Sequence, residues 1–105
     1  MGFFNKIFGG SSNENTATLI KEDAFLVDVR SPSEFAGGHV KGSVNISLGQ
    51  VQNSLSKFKG KDQIVVFCRS GNRSGHAKSI LEQNGFTNVT NGGTWQKVNA
   101  MITKK

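Results

Sequence analysis

The single cysteine of the chain is followed directly by a polar segment whose residue types could hold an anion. Six residues follow Cys68 in this order: Arg69, Ser70, Gly71, Asn72, Arg73 and Ser74. A cysteine thiolate is a strong nucleophile, and guanidinium groups, hydroxyls and successive backbone N–H groups all stabilise negative charge. A lone cysteine at the end of an apolar run can be an inert core residue, but packing does not explain the polar residues that follow. The segment predicts a reactive thiol in an anion cradle.

The elements on either side place this thiol at a turn from a strand to a helix. Residues 64–67 form a short apolar run typical of a buried parallel strand, and residues 73–84 are predicted to be helical. Ligands of open α/β sheets bind beyond the carboxyl ends of the strands, where backbone N–H groups and helix starts converge. The helix start and the charges of Arg69 and Arg73 predict a lowered pKa for the Cys68 thiol.

The remaining apolar and turn patterns predict alternating strands and helices. A capping box at Ser47 and Gln50 predicts the start of a helix that ends near Gly60. The predicted strands cover residues 24–29, 44–46, 63–67 and 86–89, and the predicted helical segments cover 33–35, 47–58, 73–84 and 94–101, with a turn at 91–93. This order indicates a parallel sheet with both faces covered by helices.

The length of 105 residues suits one compact domain. Near the N-terminus, four apolar residues would line one side of a short helix: Phe3, Phe4, Ile7 and Phe8. We therefore divide the chain into an apolar segment with a Gly/Ser linker at residues 1–15 and a domain at residues 16–105. The apolar segment could dock on its own domain, on another protomer or at a membrane interface, and we expect the first.

Composition restricts the partners and the compartment. The net charge of +6 favours an anionic partner, but the basic residues are dispersed and aromatic residues rarely accompany them, so nucleic acid is not expected. A single cysteine cannot form an internal disulfide, so nothing points to an oxidising compartment. A functional thiolate favours a reducing one, and we expect the cytoplasm. No stretch approaches the ~20 apolar residues of a membrane span. The ligand spacing of a metal site is also absent from the sequence.

From about residue 19 to residue 103 the chain strongly resembles the rhodanese-like domain family, in its single-domain thiosulfate sulfurtransferase form. The resemblance rests on residues 26–30, 34–35, 38–40, 42–46, 65–74, 84–86 and 92–93. It implies an α/β fold, a three-layer α/β/α sandwich with a mostly parallel sheet of about five strands. Two positions depart from the family pattern: Ser47 replaces a frequent proline, and Trp95 lies closer to Gly93 than is usual.

The resemblance also implies a sulfurtransferase reaction in which Cys68 is the nucleophile and carries a persulfide. Residues 69–74, already named, would bind the donor, a small anionic sulfur compound such as thiosulfate. Cyanide, a thiol or a protein would accept the sulfur, and no cofactor is needed. We expect a monomer or a weak dimer.

Two other functions remain open. A related phosphatase or arsenate reductase also uses a cysteine and an arginine, but with one residue more between them than the four between Cys68 and Arg73. A non-catalytic binding or regulatory module on the same fold is the second alternative, although inactive members generally lose the cysteine.

Four residues outside the loop are assigned supporting roles: Asp28, Arg30, Glu34 and His39. Asp28 and Arg30 lie at the carboxyl end of a predicted strand, where functional residues collect. We expect Arg30 to pair with Glu34 and brace the neighbouring loop. We expect His39 to cap a turn or pack near the sheet, and no role is assigned to His76.

Overall fold

The structure, a computed structural model, describes residues 12–103. The apolar segment that we predicted from Phe3, Phe4, Ile7 and Phe8 lies outside the described residues. The strands are β1 (Phe25–Asp28), β2 (Val44–Asn45), β3 (Ile64–Cys68) and β4 (Val89–Thr94). The helices are α1 (Ser12–Lys21), α2 (Pro32–Ala36), α3 (Leu48–Val51), α4 (Asn72–Gln83) and α5 (Trp95–Thr103), and a 3-10 segment, Gln52–Lys57, follows α3 directly.

The four strands form one parallel sheet in the order β2-β1-β3-β4. Strand β3 lies between β1 and β4, and all five of its residues are buried. Its side chains alternate between two apolar clusters, with Val66 and Cys68 in one and Val65 and Phe67 in the other. The first cluster includes Leu81 of α4, and the second includes residues of α1 and α5. The predicted parallel sheet with two covered faces is confirmed.

The strand count differs from the family expectation of about five. Residues 12–103 contain four strands, and residues 12–21 form helix α1, which the sequence patterns did not predict. The helix is anchored by Leu19 and Ile20, which are buried in the same cluster as α5. The boundary that we drew between residues 15 and 16 stays a prediction.

The turn predicted at residues 91–93 is wrong, because these residues belong to strand β4. The pairing of β4 with β3 shifts by one residue here: Asn91 lies opposite Val66, while Gly93 lies opposite Phe67. The extra residue is Gly92, where an added Cβ would lie only 2.9 Å from a methyl of Val65. Close packing therefore selects glycine at a bulge in the strand, and local turn statistics cannot reveal that.

The capping prediction for α3 is right about the position and wrong about the side chain. Ser47 has the extended backbone of an N-cap residue, but its hydroxyl makes no capping hydrogen bond. The capping box of the structure lies at α2, where Ser31 and Glu34 each bond to the backbone N–H of the other. No helix in the described part of the chain is long and apolar enough to span a membrane.

Candidate active site

Cys68 is the last residue of β3, and its sulfur is enclosed by the loop that follows. The side chain is fully buried. Two backbone N–H groups donate to the sulfur, from Gly71 at 3.0 Å and from Ser74 at 3.4 Å. The hydroxyl of Ser74 lies 3.5 Å from the same atom. The loop and the first turn of α4 therefore form the cradle that the residue types predicted.

The backbone of the cradle depends on Gly71, which precedes α4. Its φ of +98° lies in the left-handed region, which side-chain-bearing residues rarely adopt. This conformation turns the chain so that the N–H of Gly71 points back at the sulfur while its carbonyl accepts the N–H of Gly75 at 3.0 Å. The same residue thus closes the cradle and starts the helix.

The environment lowers the pKa of the Cys68 thiol below its usual value of 9.0. Burial raises the pKa, but the Ser74 hydroxyl and the backbone N–H groups of Ser74, Gly71 and Ser70 together lower it by more. The predicted direction is confirmed. Of the two loop arginines on which the prediction also relied, Arg73 interacts with the charge of Cys68, because that charge is among the causes that raise the pKa of Arg73.

Arg73 is held by a carboxylate from helix α2. Its two terminal nitrogens donate to the two oxygens of Glu34 at 2.8 and 3.1 Å, in the bidentate geometry of a strong ion pair. The hydrogen bond from Arg73 and the backbone N–H of Ser31 hold the pKa of Glu34 well below its usual range. The same pair raises the pKa of Arg73. This contact fixes the cradle to α2 across 39 residues of sequence.

The predicted pair between Arg30 and Glu34 is therefore wrong, because Arg30 bonds to Asp28 instead. Nε and one terminal nitrogen of Arg30 donate to the Asp28 carboxylate at 2.8–3.0 Å. Both side chains are buried. Residues two apart in an extended segment project on the same side, and this local geometry brings the two groups together. The Arg30 guanidinium also lies 4.6 Å from the ring centre of Trp95.

A shallow cleft of about 270 Å³ opens beside the cradle. Its walls include Ser33, Glu34, Gly38, Arg69, Trp95 and Gln96. Arg69 is exposed and contributes a positive charge to the rim. Ser70 and Asn72 are also exposed.

His39 lies outside the cradle. Its ring stacks on Phe35 with centroids 3.8 Å apart, and its Nδ1 donates to the Phe35 carbonyl at 2.9 Å. The ring therefore bonds to the last turn of α2, and the supporting role of His39 stays a prediction. His76 is exposed on α4. Among the described residues, no three His, Cys, Asp or Glu side chains are grouped as metal ligands.

Sequence reasoning missed Asn91, whose side chain contacts the cradle from strand β4. Its amide donates to the Gly71 carbonyl at 3.2 Å and accepts the Ser74 hydroxyl at 2.7 Å. In the sequence this residue resembles the first position of an Asn-Gly-Gly turn, so local patterns carried no signal for the contact.

Comparison with known proteins gives a consistent result. Residues 12–94 match the rhodanese-like domain family. The chain is 38% identical over 69 residues to the thiosulfate sulfurtransferase PspE of Escherichia coli, which covers 64% of this chain and 66% of PspE. It is also 38% identical over 68 residues to the uncharacterized protein YqhL of Bacillus subtilis, covering 65% of this chain and 54% of YqhL. The chain thus spans about half to two thirds of the length of these curated relatives.

Solved structures show the same fold. The chain superimposes on a rhodanese with anions from E. coli with a TM-score of 0.65 at 35% identity, covering 70% of this chain and 88% of the other. For the human single-domain sulfurtransferase TSTD1 the TM-score is 0.68 at 25% identity, with 88% and 92% covered. The sequence match, the parallel sheet and the cysteine cradle agree, and the chain belongs to the rhodanese-like domain family.

Proposed function

We propose that this protein is a sulfurtransferase that carries sulfane sulfur as a persulfide on Cys68. The observation that carries the proposal is the cradle, in which the N–H groups of Gly71 and Ser74 point at the cysteine sulfur. These donors stabilise a thiolate before reaction and an anionic sulfur after it. Relatives named as thiosulfate sulfurtransferases, such as PspE, support the same reaction.

In the first half-reaction the Cys68 thiolate attacks the outer sulfur of an anionic donor such as thiosulfate. A bond forms between the two sulfurs, the S–S bond of the donor breaks, and sulfite leaves with the bonding electron pair. A thiol that is already ionised needs no general base. Because the Cys68 side chain is buried, the loop would have to open to admit the donor.

In the second half-reaction a nucleophile, such as a thiol or a protein cysteine, attacks the outer sulfur of the persulfide. The bond to Cys68 breaks and the cysteine leaves as a thiolate, which restores the starting state. A lowered thiol pKa also makes Cys68 a better leaving group in this step. The cradle therefore serves both half-reactions.

The two loop arginines would have different roles. Arg69 is exposed at the cleft, so we assign it to the oxyanion end of the donor, the end that becomes sulfite. Two of the five N–H groups of Arg73 are committed to Glu34, so we assign Arg73 mainly to holding the loop and providing a fixed positive charge. The Asp28–Arg30 pair would brace the wall of the cleft through Trp95. A reactive thiol fits a reducing compartment, and the cytoplasm remains our proposal.

The experiment is intact-mass measurement of the protein after incubation with thiosulfate. We expect a gain of one sulfur atom, absent in Cys68→Ser and removed by subsequent addition of a thiol or cyanide. Arg69→Gln should slow the gain without abolishing it, while Lys59→Gln, a change of an exposed cation outside the cleft, should not.

Two results would replace this proposal. No mass gain with thiosulfate or any other sulfane donor, in a folded protein, would favour the non-catalytic binding module. Hydrolysis of an aryl phosphate without persulfide formation would favour a phosphatase.

A further inference from the structure

We propose that Asn91 is a positioning residue of the cradle. By accepting the hydroxyl of Ser74, Asn91 controls whether the proton of that hydroxyl faces the Cys68 sulfur. Asn91 belongs to a strand, β4, that contributes no residue to the loop itself. It makes no hydrogen bond to Cys68, and its connection to the sulfur runs through Ser74. The functional meaning of this control rests on the function proposed above, but the contact itself does not.

The orientation of the Asn91 amide is determined by its backbone partners. The N–H of Gly93 requires an acceptor and lies 2.9 Å from Oδ1, while the carbonyl of Gly71 requires a donor and lies 3.2 Å from Nδ2. A flipped amide would lose both bonds. The carbonyl end of the amide therefore faces the Ser74 hydroxyl at 2.7 Å.

The bulge and two glycines allow this close approach. The extra residue in β4, Gly92, follows Asn91 directly and is buried. On helix α4, an added Cβ at Gly75 would lie 3.4 Å from the Asn91 amide nitrogen, and one at Gly71 would lie 3.6 Å from the backbone of Gly93. The strand, the loop and the helix thus meet at the Asn91 amide.

The Ser74 hydroxyl has one proton and three oxygen or sulfur atoms within reach. The Gly71 carbonyl lies 3.1 Å from the hydroxyl, but it already accepts from Gly75 at 3.0 Å and from Asn91 at 3.2 Å, which occupies both of its lone pairs. The two remaining acceptors are Asn91 Oδ1 at 2.7 Å and the Cys68 sulfur at 3.5 Å. The shorter contact holds the proton, so the hydroxyl presents a lone pair to the sulfur.

This arrangement suits a protonated thiol, and it limits the lowering of the thiol pKa that the Ser74 hydroxyl provides when it donates to the sulfur. A thiol can donate its own proton to the Ser74 oxygen, whereas a thiolate requires the hydroxyl to turn and release Asn91. Asn91 and the thiolate therefore compete for one proton. Removing the amide should free the hydroxyl to donate to the sulfur.

The charged groups around the cradle do not differ between the alanine variants at Asn91 and Ser74 that test this idea. They are Arg69 of the loop, Arg73 of α4 with its partner Glu34 of α2, and Asp28 with Arg30 at the end of β1. Their effect on the pKa of the thiol therefore cancels when the alanine variants of Ser74 and Asn91 are compared with each other.

The test is the pH midpoint of Cys68 alkylation by iodoacetamide in Asn91→Ala, Ser74→Ala and the double variant. We expect the Asn91→Ala midpoint to move to lower pH, because the Ser74 hydroxyl can then donate a hydrogen bond to the charged sulfur. Alkylation at a pH below the midpoint should be about threefold faster, since the larger thiolate fraction is partly offset by the lower nucleophilicity of a more acidic thiol. Ser74→Ala should move the midpoint to higher pH. The double variant should match Ser74→Ala, because Asn91 acts through the hydroxyl.

Two further variants keep the test decisive. Asn91→Asp preserves the shape and the acceptor and adds a negative charge, so its midpoint should rise even if Asn91→Ala does not fold. Asn88→Ala is the matched control, because Asn88 donates to the carbonyls of Lys61 and Asp62 at the opposite end of β4. It should lower the unfolding temperature and leave the midpoint unchanged.

The proposal is overturned if Asn91→Ala folds and leaves the midpoint unchanged, or if its shift persists without the Ser74 hydroxyl. Alkylation requires no sulfur donor, so this result is independent of persulfide formation. A protein that shows the expected midpoints and never gains sulfur would refute the proposed function alone.

Discussion

Removing both members of the buried Asp28–Arg30 pair should destabilise the domain by less than the sum of the two single removals. The pair connects the end of β1 to the wall of the cleft, since Arg30 also donates to the Gly38 carbonyl at 2.6 Å and lies over Trp95. The perturbations are Asp28→Ala, Arg30→Met and the double variant. Methionine retains an unbranched apolar chain that can cover Trp95 without a charge.

The magnitude follows from burial and geometry. Asp28 is 0% exposed and Arg30 is 4% exposed, and water can therefore solvate neither group if its partner is lost. Leaving one buried charge unpaired costs about 3–5 kcal/mol, a large part of the roughly 5–15 kcal/mol that stabilises a typical domain. The double variant leaves no charge behind, so it should cost less than the sum of the single variants by about 2 kcal/mol or more.

Equilibrium unfolding in urea measures these free energies. The control is the exposed pair of Lys78 and Glu82 on α4, whose nitrogen and oxygen lie 2.8 Å apart. Its coupling energy, measured by the same double-mutant cycle, should be about 0.5 kcal/mol or less. Costs at Asp28 and Arg30 that add within about 0.5 kcal/mol would refute the argument that their burial makes the two charges interdependent.

Three further predictions concern the cradle and the sheet. Glu34→Gln should lower the unfolding temperature and slow persulfide formation, unlike the exposed Glu82→Gln. The pKa of Glu34 is held well below its usual 4.5. The stability that Glu34→Gln removes should therefore be constant above pH 4.5 and decline only below it. A decline that already begins at neutral pH would contradict the lowered pKa. Gly92→Ala should cost about 1–3 kcal/mol by overpacking, since its Cβ would lie 2.9 Å from a valine methyl. Gly49→Ala, with no atom within 4 Å of the added carbon, should be tolerated, and equal costs would argue against the close approach. The pKa of Cys68 in the folded protein is lowered from 9.0. The wild-type protein should therefore gain stability over Cys68→Ser as the pH rises from the folded-state pKa toward 9.0. A stability difference between the two proteins that does not change with pH would contradict the lowered pKa.

Local signals were sufficient for the core of the sheet and for the position of the thiol. The apolar run before Cys68 and the polar run after it are contiguous in the chain, and a strand, a turn and a helix each depend on neighbouring residues. The left-handed Gly71 and the N–H groups aimed at the sulfur follow from that local geometry. The same local reasoning could have predicted the Asp28–Arg30 pair, because residues two apart project on one side of an extended segment.

Tertiary structure decided which distant groups meet at the cradle. The ion pair of Arg73 joins residues 39 apart, and the hydrogen bond of Asn91 to Ser74 spans 17. Neither separation matches the repeat of a helix or a strand, so the sequence pattern does not display it. The family resemblance also implied about five strands, whereas the described residues form four, and an Asn-Gly-Gly turn proved to be a bulged strand because a valine side chain fills the space beside Gly92.

The sequence by itself determined that one cysteine would follow a buried strand and lie at the start of a helix, because strand, turn and helix preferences act over a few residues. Only the tertiary structure decided how that cysteine is controlled. Glu34 holds Arg73, and Asn91 holds the Ser74 hydroxyl, because the parallel sheet places the ends of separate strands and helices at one edge.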